Sequence, residues 1–283
     1  MSLANGLNRS DRPSAMVLRR CAANVASALG VLSRSPRMES FRLGAFSPVS
    51  IASVAIAAVL TFLVLAMTID PLTARAIRNL PSWVISFFQE ITDFGKSGWF
   101  LWPLGVLFFL LASMPPVLTP VSQRVVAAVM VRIGFLFMAI AVPSLFVTIV
   151  KRIIGRARPM VGGSLDPLLF DPIAWQPAYA SMPSGHTTTA FAVLVAFGTL
   201  WPRGRTVLLV YALLMAMSRI VISAHYPTDV LAGAVVGMGG AILVRRYFAQ
   251  RHLGFSMNKA GGIHQYAGPS LSRIKAVARE LLA

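Results

Sequence analysis

Residues 126–150 read VAAVMVRIGFLFMAIAVPSLFVTIV, and residues 151–159 continue KRIIGRARP. The first stretch carries a single charge, Arg132, and shows no alternation of polar and apolar positions. A bilayer core about 30 Å thick needs about 20 apolar residues in a helix. Only helices and closed barrels satisfy their backbone polar groups in lipid. The run is therefore read as a membrane-crossing helix that ends in a cluster of cations. Working outward, comparable runs occupy 49–69, 98–114, 187–201, 206–223 and 229–244. In chain order the second and fourth are short and are expected to extend by a turn. The fold class expected is all-α, an integral membrane bundle of six transmembrane helices.

Composition agrees. The 283 residues are 56% hydrophobic and only 12% charged, with a mean hydropathy of +0.71. A soluble domain carries about 25% charged residues, so neither a soluble fold nor disorder fits. The formal charge of +17 comes from 22 Arg and 4 Lys against 9 acids. Most of these cations sit in the two tails and in loops, which makes nucleic acid an unattractive partner and membrane lipid the natural one. One cysteine, Cys21, excludes an internal disulfide framework and a Cys-based zinc site. It is read as an inert thiol. The apolar stretch near Cys21 is short and polar-interrupted, so the first true span is expected to act as an uncleaved anchor.

Cation placement sets an orientation. Arg9, Arg12, Arg19, Arg20, Arg34, Arg37 and Arg42 precede the first span, and Arg245, Arg246, Arg251, Lys259, Arg273, Lys275 and Arg279 follow the last. Six crossings put both groups, with Arg124, Arg203 and Arg205, on the cytoplasmic side. The expected organisation is a basic tail over 1–46, a membrane domain over 47–246 and a second basic tail over 247–283, both tails weakly ordered. Segment 71–97 falls outside, either as an amphipathic helix at the interface or packed on the bundle.

Three polar blocks gather at helix ends on that outer side: Lys151 to Pro159, then Pro183-Ser184-Gly185-His186, then Ser218-Arg219 followed by His225 and Asp229. Lys151 and Arg158, seven apart, are expected on one helical face, with Gly155 leaving room between them and Pro159 stopping the element. Arg219 brings a third cation. Arginine offers a planar fork that matches phosphate oxygens, and the helix opening at Ser184-Gly185 offers free N–H groups. These features ask for a multiply charged oxyanion. Asp229 can hold one nitrogen of His225 and leave the other as a nucleophile. His186 can act as the acid.

The blocks resemble the type 2 phosphatidic acid phosphatase (PAP2) superfamily, whose pattern is KxxxxxxRP, PSGH and SRxxxxxHxxxD. The match falls on Lys151, Arg158 and Pro159, on Pro183 to His186, and on Ser218, Arg219, His225 and Asp229. The resemblance implies a membrane phosphatase that works without cofactor or metal, through a phosphohistidine on His225. Asp229 orients His225, His186 protonates the leaving oxygen, and Lys151, Arg158, Ser184, Gly185 and Arg219 hold the phosphoryl oxygens. Implied substrates are lipid phosphates: phosphatidic acid, phosphatidylglycerol phosphate, undecaprenyl diphosphate or lipid A phosphate. The expected place is a bacterial inner membrane, with both termini cytoplasmic and the site periplasmic.

A lipid-to-lipid phosphotransferase is the related alternative, and a lipid transporter or scaffold the one from another class. A haloperoxidase is remote, since the site sits in a membrane. No residue reports the oligomeric state. Arg152 and Arg156 are expected to face head groups or solvent, and Arg132 to snorkel toward the inner surface. Asp166 and Asp171 are read as solvated loop residues, and His252 and His264 carry no assigned chemistry. Pro103 and Pro143 are expected to kink their spans. Gly233 and Gly237 are expected to bring helices together inside the bundle.

Overall fold

The structure is a computed structural model that describes residues 47–113, 119–163, 165–258 and 261–282, with a few isolated positions before residue 47. Cys21 and most of the N-terminal arginines lie outside the described residues. Helix α1 spans Pro48–Ile77, α2 Ser82–Thr92, α3 Gly98–Ala112, α4 Pro120–Ile154, α5 Gly185–Leu200, α6 Arg205–Val221 and α7 Pro227–Gln250. Strands β1 (Phe255–Met257) and β2 (Ile263–Gln265) and helix α8 (Leu271–Leu282) follow. The chain divides into two compact units. One contains residues 40–101 and 135–246, and the other contains residues 1–39, 102–134 and 247–283.

Among the described residues, five segments are long and apolar enough to cross a membrane: Pro48–Ile77, Ser82–Ala112, Pro120–Ile154, Pro202–Val221 and Pro227–Gln250. The sixth run, α5, has 16 residues and rises only about 24 Å. It extends at its start, to Gly185, but not at its end. Pro202 disfavours helix at Trp201, whose backbone has left the helical region at φ −128° and ψ 77°. Burial explains how so short a helix is retained. Thr187 to Val193, Ala196 and Gly198 are all buried, so other protein surrounds α5 rather than lipid. By contrast, α1 buries only Ala66, Asp70, Ala74 and Ile77, and the rest of its apolar surface suits acyl chains.

The segment 71–97 is not a single helix. Residues 71–77 complete α1, which runs through Pro71, and Ser47 caps its start by accepting from the Ser50 N–H at 3.1 Å. After Pro81, α2 turns its buried Thr92 inward and packs Ile91 on the core of Ala190, Phe191, Ala212, Met215, Ala216, Val230 and Ala234. Trp83 and Phe87 stay exposed on its other side.

Helix α7 packs closely because it lacks side chains along one seam. A Cβ at Gly233 would stand 2.6 Å from the Ser184 carbonyl oxygen, and one at Gly237 would stand 2.3 Å from that of Thr188. At Gly240 it would stand 2.7 Å from Pro143 Cβ. The glycines therefore serve packing within the bundle, as expected, and fix α7 against α5.

In the second unit the C-terminal segment is folded rather than weakly ordered. Strands β1 and β2 pair antiparallel, with Ser256 opposite His264. Tyr266 binds His252 Nδ1 through its hydroxyl at 2.9 Å. Arg132 donates to the Tyr266 carbonyl at 2.8 Å. The Glu280 carboxylate accepts from the Thr119 N–H and from the Ser122 hydroxyl, which ties α8 to the first turn of α4.

Replacing Gly237 by Val should cost about 1–3 kcal/mol through overpacking, read as a lower unfolding midpoint in detergent. Gly239→Ala, where a Cβ would meet open space, should leave that midpoint unchanged or raise it.

Candidate active site

The three polar blocks lie in one unit, but the first is not built as its spacing predicts. Helix α4 ends at Ile154. Gly155 adopts φ +64°, and a Cβ there would fall 1.7 Å from the Asp171 carbonyl oxygen. Only glycine fits this turn. Lys151 therefore sits on the last helical turn while Arg158 sits in a loop beyond it, and no single helical face carries both. The loop is zipped on both sides. The Asp171 N–H donates to Gly155 O at 2.7 Å, Ala157 N–H to Leu169 O at 2.9 Å, Arg158 N–H to Ala178 O at 2.8 Å and Ser181 N–H to Arg156 O at 3.0 Å.

The second block opens α5. Ser184 is its buried N-cap. The Ser184 N–H donates to the Asp229 carbonyl at 3.0 Å, joining this block to the third. Ser184 Oγ accepts from Thr187 at 3.0 Å instead of capping a backbone N–H, so the first-turn N–H groups remain open to an anion. A Cβ on Gly185 would meet no protein atom within 4 Å, so the space before it is clear. His186 packs on Gly95, where a Cβ would stand 2.9 Å from its ring. The His186 ring interacts electrostatically with Arg219, His225, Lys96 and Asp93.

The third block closes a turn between α6 and α7, with the His225 N–H donating to the Arg219 carbonyl at 3.2 Å. Arg219 donates to Thr92 Oγ1 at 2.7 Å, and Thr92 lies 3.0 Å from Ser218 Oγ. Both Arg219 Nε and Arg158 Nε are buried without a hydrogen-bond partner. Arg219 and Arg158 repel each other, both act on His225, and Lys151 acts with Arg158. Unsatisfied donors among mutually repelling cations favour a bound oxyanion.

His225 is 4% exposed. Its Nδ1 lies 3.8 Å from Asp229 Oδ2, longer than a hydrogen bond. Ser181 Oγ stands between them, 2.6 Å from Asp229 Oδ2 and 3.5 Å from His225 Nδ1. Burial lowers the His225 pKa below the ordinary 6.5, and the Asp229 carboxylate opposes that shift without reversing it. The imidazole is therefore neutral near pH 7 and keeps the lone pair a nucleophile needs.

Arg156 overturns the reading that it faces head groups or solvent. Its side chain is fully buried and pairs with Asp70 at 2.8 Å and Asp229 at 2.5 Å. Asp70, Thr92, Ser181 and Thr228 are the participants that the sequence reading missed. Asp70 had a signal, since a carboxylate adjoining an apolar run is costly unless it is used. The hydroxyl residues had none. Arg152 donates to the Trp175 carbonyl. Asp166 accepts from the Leu168 N–H at 2.9 Å within its loop.

A profile of the PAP2 superfamily matches residues 132–253. A lipid A 1-phosphatase of Rhizobium johnstonii is 33% identical over 61% of this chain and 71% of its own length. The corresponding protein of Rhizobium etli is 32% identical over 64% of this chain and 78% of its own. Phosphatidylglycerophosphatase B of Escherichia coli K12 is 37% identical over a shorter stretch, 26% of this chain and 31% of its own. The chain belongs to the PAP2 superfamily. It is a membrane lipid phosphatase of that superfamily and hydrolyses phosphoric esters.

Arg158→Ala and Arg219→Ala should each weaken inhibition by orthovanadate about ten- to a hundredfold, the loss of one charged hydrogen-bonding partner. Inhibition titrations of the purified variants check this.

Proposed function

We propose that the protein dephosphorylates a lipid at the outer face of a bacterial inner membrane, with lipid A 1-phosphate as the first substrate to test. The observation that carries the reaction is the convergence of Arg158, Arg219 and a neutral, buried His225 on one spot at the ends of α4, α6 and α7. The choice of lipid is supported by similarity that runs over most of two proteins named for lipid A. The placement rests on our reading of six crossings, counting α5 among them, with the arginine-rich segments 1–46 and 247–283 on the cytoplasmic side of a membrane domain over 47–246.

The roles proposed are those the superfamily resemblance implies, and the geometry supports them. Nε2 of His225 attacks phosphorus, the bond to the lipid oxygen breaks, and His186 supplies the proton that oxygen needs. The phosphorylated ring is cationic, and Asp229 balances it across Ser181. His186 then takes a proton from water as that water attacks phosphorus. The P–N bond breaks, phosphate leaves, and His225 returns to its neutral form. Lys151, Arg158, Arg219, Ser184 and the Gly185 N–H neutralise and orient the phosphoryl oxygens, and most of the barrier reduction in phosphoryl transfer comes from such positioning and charge.

Purified protein with EDTA present should release phosphate from lipid A faster than from phosphatidic acid, phosphatidylglycerol phosphate or undecaprenyl diphosphate. His225→Ala should bring release to background while the unfolding midpoint holds. Full activity in that variant would sink the mechanism, and a faster glycerolipid or polyprenyl substrate would sink the lipid A assignment. Label passing from one lipid to another instead of to phosphate would make the protein a transferase.

A further inference from the structure

Asp70 lies in α1, outside residues 132–253 that match the superfamily profile, and in none of the three sequence blocks. It is nevertheless fully buried beside them. Its Oδ1 accepts from the Thr228 N–H at 3.1 Å, and its Oδ2 accepts from the Thr228 hydroxyl at 2.5 Å and from Arg156 Nη2 at 2.8 Å. Thr228 is the neighbour of Asp229, so α1 is bonded to the residue next to the one that faces His225.

Arg156 is the other half of this network. Its Nη1 donates to Asp229 Oδ1 at 2.5 Å and to Thr228 Oγ1 at 2.7 Å, and its Nε to the Pro167 carbonyl at 2.9 Å. Its guanidinium lies 4.8 Å from the Tyr226 ring centre and 5.3 Å from that of Phe62. Asp229 Oδ2 is left for Ser181 at 2.6 Å and the Tyr226 N–H at 2.9 Å. Every oxygen of both carboxylates is thus engaged, which fixes the Asp229 rotamer toward His225.

Charge decides what Asp70 adds. Arg156 and Asp229 alone would form a neutral buried pair, one positive and one negative. With Asp70 the cluster is one positive and two negative, net −1. Asp70 shares the Arg156 charge, so Arg156 alone does not cancel the charge of Asp229 against the cations Arg158 and Arg219 that also face His225. That surplus is needed when the His225 ring becomes cationic on phosphorylation, and inside protein it is screened far less than in water.

We infer that Asp70 is a positioning residue for the hydrolysis: through Arg156 and Thr228 it aims Asp229 at His225 and supplies the negative charge that stabilises the phosphorylated ring. This rests on the mechanism given above. It assigns α1, a mostly lipid-facing helix, a part in the chemistry.

The test uses full-length Asp70→Asn, nearly isosteric but uncharged, with lipid phosphate as substrate. Its kcat should fall about ten- to a hundredfold, the scale of misplacing a reacting group. KM and the orthovanadate inhibition constant should stay within about threefold, because the phosphate cup is untouched. The acid limb of the kcat profile should move to lower pH, since less negative charge near Asp229 makes His225 easier to deprotonate. A folded variant with unchanged kcat and unchanged acid limb overturns the inference, as does a loss confined to KM. If Asp70→Asn fails to fold, Thr228→Val carries the same test, with a smaller shift in the same direction expected and none overturning it. An active His225→Ala would fail the underlying mechanism; an inactive one beside an unaltered Asp70→Asn fails the Asp70 assignment alone.

Discussion

A guanidinium with no contact to water has to be met by carboxylates, and at Arg156 that requirement organises the candidate site. Burying an unpaired charge costs several kcal/mol, and Arg156 meets that cost by pairing with both Asp70 and Asp229. Those two residues come from α1 and α7, and Arg156 itself from the loop after α4. The pairing therefore ties three parts of one unit at the level where His225 emerges. The arrangement is stabilising only while complete, which is the usual condition of a buried ionic network.

Around that centre the backbone approaches unusually closely. Gly155 ends α4 in a left-handed turn beneath the Asp171 carbonyl, and Gly233 and Gly237 let α7 lie against the Ser184 and Thr188 carbonyls. The Ser184 N–H then reaches the Asp229 carbonyl. Small residues thus bring the opening of α5 and the opening of α7 together, and with them His186, Asp229 and His225. The openings of α5 and α7 could not approach so closely if Gly233 or Gly237 carried a side chain.

How such a site meets a lipid follows from the contrast between its helices. α5 is surrounded by protein and short, while α1 exposes apolar side chains along most of its length. A substrate with acyl chains can remain in lipid beside α1 while its phosphate reaches cations at the bundle end. The polar cup needs no water-filled route from within the bilayer, and the membrane-facing surface needs no polar groups.

The membrane class, the approximate spans and the three motif blocks were legible in the linear chain, because hydropathy is additive along a helix and the blocks are contiguous. The nearness of His225 to Asp229 was legible too, the two being four residues apart, but the Ser181 hydroxyl that links them was not. The ends of elements were not. Seven-residue spacing places Lys151 and Arg158 on one face only if the helix continues, and the Asp171 carbonyl above Gly155 is what stops it. Nor could spacing tell Arg156, fully buried, from Arg152, bonded to a loop carbonyl. Asp70 is separated from Asp229 by most of the membrane domain. Sequence by itself determined which residue types gather at helix ends and that they suit a phosphate. Tertiary structure alone decided which charges are desolvated and against which partners, because burial and pairing depend on distances between segments far apart in the chain.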